Sequence, residues 1–167
     1  IEVGAFGTVQ DIASGPTSGY HTLALRNDGT VWACGSNFAG QLGDGTLTDR
    51  DTPVQVAGLS DVKEVAAGGF HSLALKNNGT VWAWGDNDDG QLGDGTTSDR
   101  KNPVQVLNLT NVIAIDAGGD VSMAVTANGA CYTWGDGAWG QIGDGSFDED
   151  RHTPTQILAG IEAIAAG

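Results

Sequence analysis

The residues of this 167-residue chain that could do chemistry are its aspartates, three histidines and two cysteines. The run Asp86-Asn87-Asp88-Asp89-Gly90 sets oxygen-bearing side chains before a glycine, and Asp94 and Asp99 follow. That spacing is a fragment of a calcium loop, so Asp86, Asp88 and Asp94 are the candidate metal ligands. Calcium takes six to eight oxygens and an EF-hand loop closes on Glu at its twelfth position. Counting from Asp86 that position is Thr97, and the matching stretch in the first half reads Ser36-Asn37-Phe38-Ala39. The expectation is therefore no cofactor, with calcium as the alternative.

His21 and His71 occupy the same place in HTLAL and HSLAL, while His152 lies in a loop stretch. A metal site needs several ligands converging on one point, so packing and hydrogen bonding to backbone is the expected role of the paired histidines. Cys34 and Cys131 fall at unrelated places of the pattern, too far apart for a disulfide. Two buried free thiols are expected, which leaves the redox compartment open. GQLGDGT has the glycines of a phosphate loop, but lacks the Lys and the following helix. No Ser or Cys is tied by spacing to a His and an Asp. Asp49 with Asp51, and Asp148 with Asp150, read as solvated loop acids. The chain is expected not to be an enzyme.

Composition narrows the partners. Acids outnumber bases 21 to 7, for a net charge of −14, which opposes binding to a phosphate backbone or an anionic membrane surface. No apolar run approaches the roughly 18 residues that span a bilayer. Neither nucleic acid nor membrane insertion is expected. Of the 21 acids, 17 are Asp, and 27 residues are Gly. Asp favours turns where Glu favours helices, so the charge belongs to loops. No signal peptide is visible, and a chain starting at Ile1 reads as a processed product or a piece of something longer.

The elements that position these residues are repeated. GQLGDG at Gly40 to Gly45 returns at Gly90 to Gly95, and as GQIGDG at Gly140 to Gly145. Residues 21–70 match 71–120 without a gap at 30 of 50 positions, and the third copy carries one extra residue in SFDEDRHTP. Each copy pairs two short apolar runs across Asn27-Asp28-Gly29, Asn77-Asn78-Gly79 or Ala127-Asn128-Gly129, the signature of a tight hairpin. VWAW is apolar at successive positions, so the central strands are expected to be buried on both faces. A unit of about 50 residues with four strands suits a propeller blade.

The run from His71 to Gly95, HSLALKNNGTVWAWGDNDDGQLGDG, resembles the repeat of the regulator of chromosome condensation family, and the resemblance extends from about Val9 to the end. It implies an all-β fold, a β-propeller usually of seven blades. About three four-stranded blades are present, over 21–70, 71–120 and 121–167, with 9–20 supplying the strand that leads into the first. The copies depart from one another at Val121, where the others have His21 and His71, and at Gly137, where they have Asn37 and Asn87. Cys34 stands where they have Trp84 and Trp134.

Three blades of a longer ring leave end sheets open, and repeat architectures need closure or caps. The expectation is a fragment of a larger propeller or a protomer that completes a ring or filament with further copies of itself. Positions that vary between matching copies mark recognition, because folding does not require the difference. Phe38, Asp88, Asp89 and Trp139, just before each Gly-Gln, are the candidate partner-binding residues. An exposed loop aromatic anchors partners, and acidic loops steer basic ones. The reading is a non-catalytic protein-binding or assembly scaffold, with an extracellular or cell-surface setting favoured over the cytoplasm. The resemblance also implies two alternatives, nucleotide exchange on a small GTPase and a secreted enzyme-inhibitor propeller.

Overall fold

The computed structural model describes residues 8–16 and 20–166. They form three four-stranded antiparallel sheets. The first holds β1 (Val9–Ser14), β2 (His21–Arg26), β3 (Val31–Gly35) and β4 (Arg50–Gln55). The second holds β5 (Val62–Ala67), β6 (His71–Lys76), β7 (Val81–Gly85) and β8 (Arg100–Gln105). β9 (Val112–Gly118), β10 (Val121–Thr126), β11 (Cys131–Gly135) and β12 (Arg151–Leu158) make the third. Strand order follows chain order in every sheet, so each is an up-and-down blade of a propeller arc. No helix of the described residues is long and apolar enough to cross a membrane.

The blades run one strand ahead of the 50-residue sequence frame. VKEVAA lies at the tail of the frame 21–70, yet it is β5 and opens the second sheet. VQDIAS does the same for the first sheet as β1, and residues 17–19 of that lead-in lie outside the described residues. The equivalent IEAIAA, 161–166, pairs with no strand among the described residues. Its Ile161 amide donates to the Gly129 carbonyl at 3.0 Å and its Ala166 amide to Asp116 Oδ2 at 2.6 Å.

The hairpin turns form as their residues dictate. In the first, Asp28 Oδ1 accepts from the Thr30 amide at 3.0 Å and its hydroxyl at 2.6 Å, and Gly29 takes the left-handed φ of 76°. Asn78 holds Thr80 in the same way in the second. The first turn also fastens the next blade, since the Gly29 carbonyl accepts from Val62 at the start of β5.

The core lies between sheets. Leu23, Leu25, Val31, Leu42 and Val56 of the first blade pack against Val62, Val65, Ala74 and Trp84 of the second. Leu73, Leu75, Leu92 and Val106 of the second pack against Val112, Ile115, Ala124 and Trp134 of the third. Burial of both faces therefore holds for β6, which is buried from His71 to Leu75, but not for β2, where burial alternates. Among the described residues β2 has a neighbouring sheet on one side only, and alternation is what one covered face gives.

Candidate functional site

Each joint between blades is closed by a polar clasp. Ser72 Oγ donates to the Gln41 carbonyl at 2.8 Å, and Trp84 Nε1 donates to the same oxygen at 2.8 Å. The proton of Ser72 being committed, His21 Nε2 must be the donor in its 2.9 Å bond to that hydroxyl. The next joint repeats this with His71 Nε2 to Ser122 Oγ at 2.8 Å, Ser122 to the Gln91 carbonyl at 2.8 Å and Trp134 to that carbonyl at 2.9 Å. The paired histidines thus reach a serine hydroxyl of the next blade rather than backbone, which corrects the sequence expectation. Spacing alone hides this because the serine is 51 residues away. Both rings are buried, and Nδ1 of each has no partner among the described residues. Burial pushes His21 down to about 4; burial, and then the neighbouring His21, push His71 down to about 3. Both are neutral bridges.

The Gly-rich loops are held from within. Asn37 Nδ2 donates to the carbonyls of Thr46 at 3.2 Å and Thr48 at 3.1 Å, while its Oδ1 accepts from the Leu42 amide at 2.9 Å. Asn87 does the same in the second blade. Gly137 breaks the pattern for a steric reason: the longer third loop brings the Glu149 carbonyl into the space where an Asn Cβ would sit. Asp49, Asp99 and Asp150 cap the backbone amides of residues 37, 87 and 137 at 2.7, 2.9 and 3.0 Å. Asp49 and Asp150 are thus structural.

Asp94 does not join Asp86 and Asp88. It receives Arg100 through Nε at 2.8 Å and Nη2 at 2.7 Å, and also Thr96. Burial would raise its carboxyl, but the hydrogen bonds from Thr96 and Arg100 prevail and hold it below the usual range. Asp44 with Arg50 and Asp144 with Arg151 repeat this pair. The third carboxylate beside Asp86 and Asp88 is Asp99, and the three offer oxygens within 4.8 Å of one another. Asp86 already accepts from Gln91 Nε2 at 2.6 Å. In the first blade Ser36 takes that place, and buried Gln41 Nε2 is left without a partner among the described residues.

Around this group lies an acidic ledge across the seam of the second and third blades. Burial and then Asp99, Asp88, Asp120 and Asp89 raise Asp86 to about 6. Burial and then Asp150, Asp136, Asp120 and Asp88 raise Asp89, and burial with Asp136 raises Asp120. Among the described residues, none of these carboxylates is in an ion pair; the basic partners go to Asp28, Asp44, Asp94, Asp144 and Glu149. Sequence reasoning named Asp88 and Asp89 and missed Asp120. The signal was present, since Asp120 stands where the other copies have Tyr20 and Phe70.

The preceding seam carries aromatics in the same places. Phe38 meets Phe70 edge to face with centroids 4.8 Å apart, so it is half engaged within the fold. Trp139 is 84% exposed and overhangs the outer face of the third blade. Cys34 is half-buried, not buried, and Cys131 is buried; both are free.

The family model of the regulator of chromosome condensation (RCC1) repeat matches residues 28–75, 78–125 and 128–167, and a second model of that repeat matches 9–41 and 62–91. No curated protein matches the chain by sequence. Among solved structures, yeast RCC1 (Prp20) bound to Kap60 superposes with TM-score 0.80 at 28% identity, over 91% of this chain and 37% of that one. Prp20p from Saccharomyces cerevisiae, described with its binding to Gsp1p and histones, gives 0.76 at 30% identity, over 91% and 39%. Human WBSCR16 gives 0.82 at 25% identity, over 95% and 42%. The chain thus spans about two fifths of the length of these proteins. With the repeat matched three times and the blades superposed on solved propellers, this chain belongs to the regulator of chromosome condensation (RCC1) repeat family.

Proposed function

We propose that this chain is a non-catalytic protein-binding module that takes a lysine- or arginine-rich protein segment on the acidic ledge. The observation that carries the reading is the unpaired ledge itself, where Asp86, Asp88, Asp89, Asp99, Asp120, Asp136 and Asp150 face one seam without a cation. The raised carboxyl pKa values of Asp86, Asp89 and Asp120 mean that the folded chain holds negative charge there at a cost, which a cationic partner relieves. Support comes from Prp20p, which is described as binding histones, themselves basic proteins. The test is fluorescence anisotropy of labelled decalysine and decaglutamate at low and high salt. Decalysine binding that weakens steeply with salt, with no decaglutamate binding, supports the reading. Equal behaviour of the two peptides overturns it.

Nucleotide exchange on a small GTPase is a second reading, favoured by the identity with Prp20p, which is described as binding Gsp1p. Release of a labelled guanine nucleotide from a small GTPase, with and without the chain, tests it.

A further inference from the structure

The two seams inside the chain present the same loop positions with opposite chemistry. At the seam of the first and second blades these are Ser36, Phe38, Ala39 and Phe70, and at the next seam the equivalent residues are Asp86, Asp88, Asp89 and Asp120. Each acid of the second set thus has an uncharged counterpart in the first, and two of the counterparts are phenylalanines. Phe38 is 57% exposed even though the second blade, against which it packs, is in place. The equivalent Asp88, whose blade has a neighbour on each side, is exposed as well. The position faces solvent by its place above the seam.

The aromatic pair and the acidic ledge are one continuous surface. The Asp86 amide donates to the Phe70 carbonyl at 3.0 Å, and the Gly69 amide donates to the Gly119 carbonyl at 2.7 Å. A Cβ on Gly69 would lie 3.7 Å from Asp120 Oδ1. Half-buried Phe70 is therefore fastened to the ledge from both of its blades, and Phe38 lies against it with centroids 4.8 Å apart.

We propose that the Phe38–Phe70 pair seats an apolar side chain of the same segment whose basic residues lie on the ledge, so that the partner is an amphipathic segment with an apolar anchor set off from its lysines or arginines. The inference rests on the basic-segment reading and adds the residue type that reading leaves open. Packed sheets lie about 10 Å apart and an extended chain rises about 3.3 Å per residue, so neighbouring seams are about three residues of extended chain apart. Burying the exposed ring against an apolar side chain is favourable, and the neighbouring carboxylates decide which partners can approach to do it. A second copy of this chain would bring a net charge of −14 to the ledge and be repelled. A phosphate backbone or an anionic membrane is repelled for the same reason. A cationic segment is drawn in, and the aromatic pair then selects among cationic segments for one with an anchor at the right distance.

Two labelled peptides test this by fluorescence anisotropy at low and high salt. One is Leu-Gly-Gly-Lys-Lys-Lys-Gly-Gly-Leu, which offers the anchor in either chain direction, and the other has Gly in place of both Leu. Wild type is expected to hold the leucine peptide about tenfold more tightly than the glycine peptide. Phe38→Ala is expected to abolish that preference, with circular dichroism confirming the fold. Phe38→Asp, which copies the second seam, is expected to abolish it too while holding the glycine peptide at least as tightly as wild type does, a result that damage to the fold would not give. The inference is overturned if wild type binds the two peptides equally while both weaken with salt, an outcome that leaves the ledge reading standing. It is also overturned if the preference survives in both variants, or if Phe38→Ala weakens the two peptides alike, which would make the ring a seat for lysine. Binding of neither peptide overturns the ledge reading and this inference with it. Sedimentation velocity of wild type is expected to show no self-association that Phe38→Ala removes; such association would make a second copy the occupant and overturn the proposal.

Discussion

The neutral histidine bridges make the stability of the arc sensitive to mild acid in a calculable way. In the unfolded chain each ring titrates near 6.5, whereas in the folded protein burial holds His21 to about 4 and His71 to about 3. A base whose folded pKa is depressed contributes stability above the unfolded pKa, and loses it as pH falls from about 6.5 toward the folded value. Each ring then costs about 1.4 kcal/mol per pH unit. At pH 5, a unit and a half below 6.5, the two together cost about 4 kcal/mol, a large part of a typical 5–15 kcal/mol stability. Asp86 works in the opposite sense, because its raised pKa of about 6 lets the folded state take a proton first. Comparing two proteins that both carry Asp86 cancels its effect. His71→Gln keeps an amide donor for Ser122 but cannot titrate, so urea unfolding of wild type and variant is to be compared at pH 7, 6, 5 and 4.5. Relative to the variant, wild type is expected to lose about 1.4 kcal/mol per unit below pH 6. A gap between them that stays constant from pH 7 to 4.5 would refute the buried, neutral bridge.

Further outcomes follow from the same joints and loops. Trp84→Ala removes a fully buried indole and its bond to the Gln41 carbonyl, so calorimetry should show a loss of about 3–5 kcal/mol. Trp139→Ala, at an exposed position, should leave stability within about 0.5 kcal/mol of wild type. Asn87→Gly, which copies the third blade without its longer loop, should cost about 2 kcal/mol or more in urea unfolding by orphaning the Leu92 amide and two loop carbonyls. Millimolar calcium should leave the melting temperature unchanged, because Asp86, Asp88 and Asp99 supply few of the six to eight oxygens calcium takes; a rise of several degrees would establish a cation site.

Much of the architecture was legible because it is repeated. The Asn-Gly and Asp-Gly turns, the paired apolar runs and GQLGDG give the strands and their order in a sheet, and those signals are local. The strand that opens each blade was less legible as to ownership, since VKEVAA sits at the end of one sequence copy and pairs with the next. The clasps were hidden for the same reason: His21 meets Ser72 and Trp84 meets Gln41 only when two blades stack. At the ledge, Asp88 and Asp89 stood out by their variation within one loop. Asp99 and Asp120 join them from other segments, and Asp94, close in sequence, is drawn away by Arg100. Charge and spacing do not say which acid finds a cation; the path of β8 does.

The central claim is that the ledge, and not the overall charge, holds a basic segment. The direct measurement is calorimetric titration of decalysine into wild type and into Asp88→Asn/Asp89→Asn/Asp120→Asn, with a control that removes as many charges elsewhere, Asp51→Asn/Asp61→Asn/Glu162→Gln. The account predicts that the ledge variant loses binding tenfold or more, on the order of 1.4 kcal/mol, while the control stays near wild type. Equal losses in the two variants would contradict it.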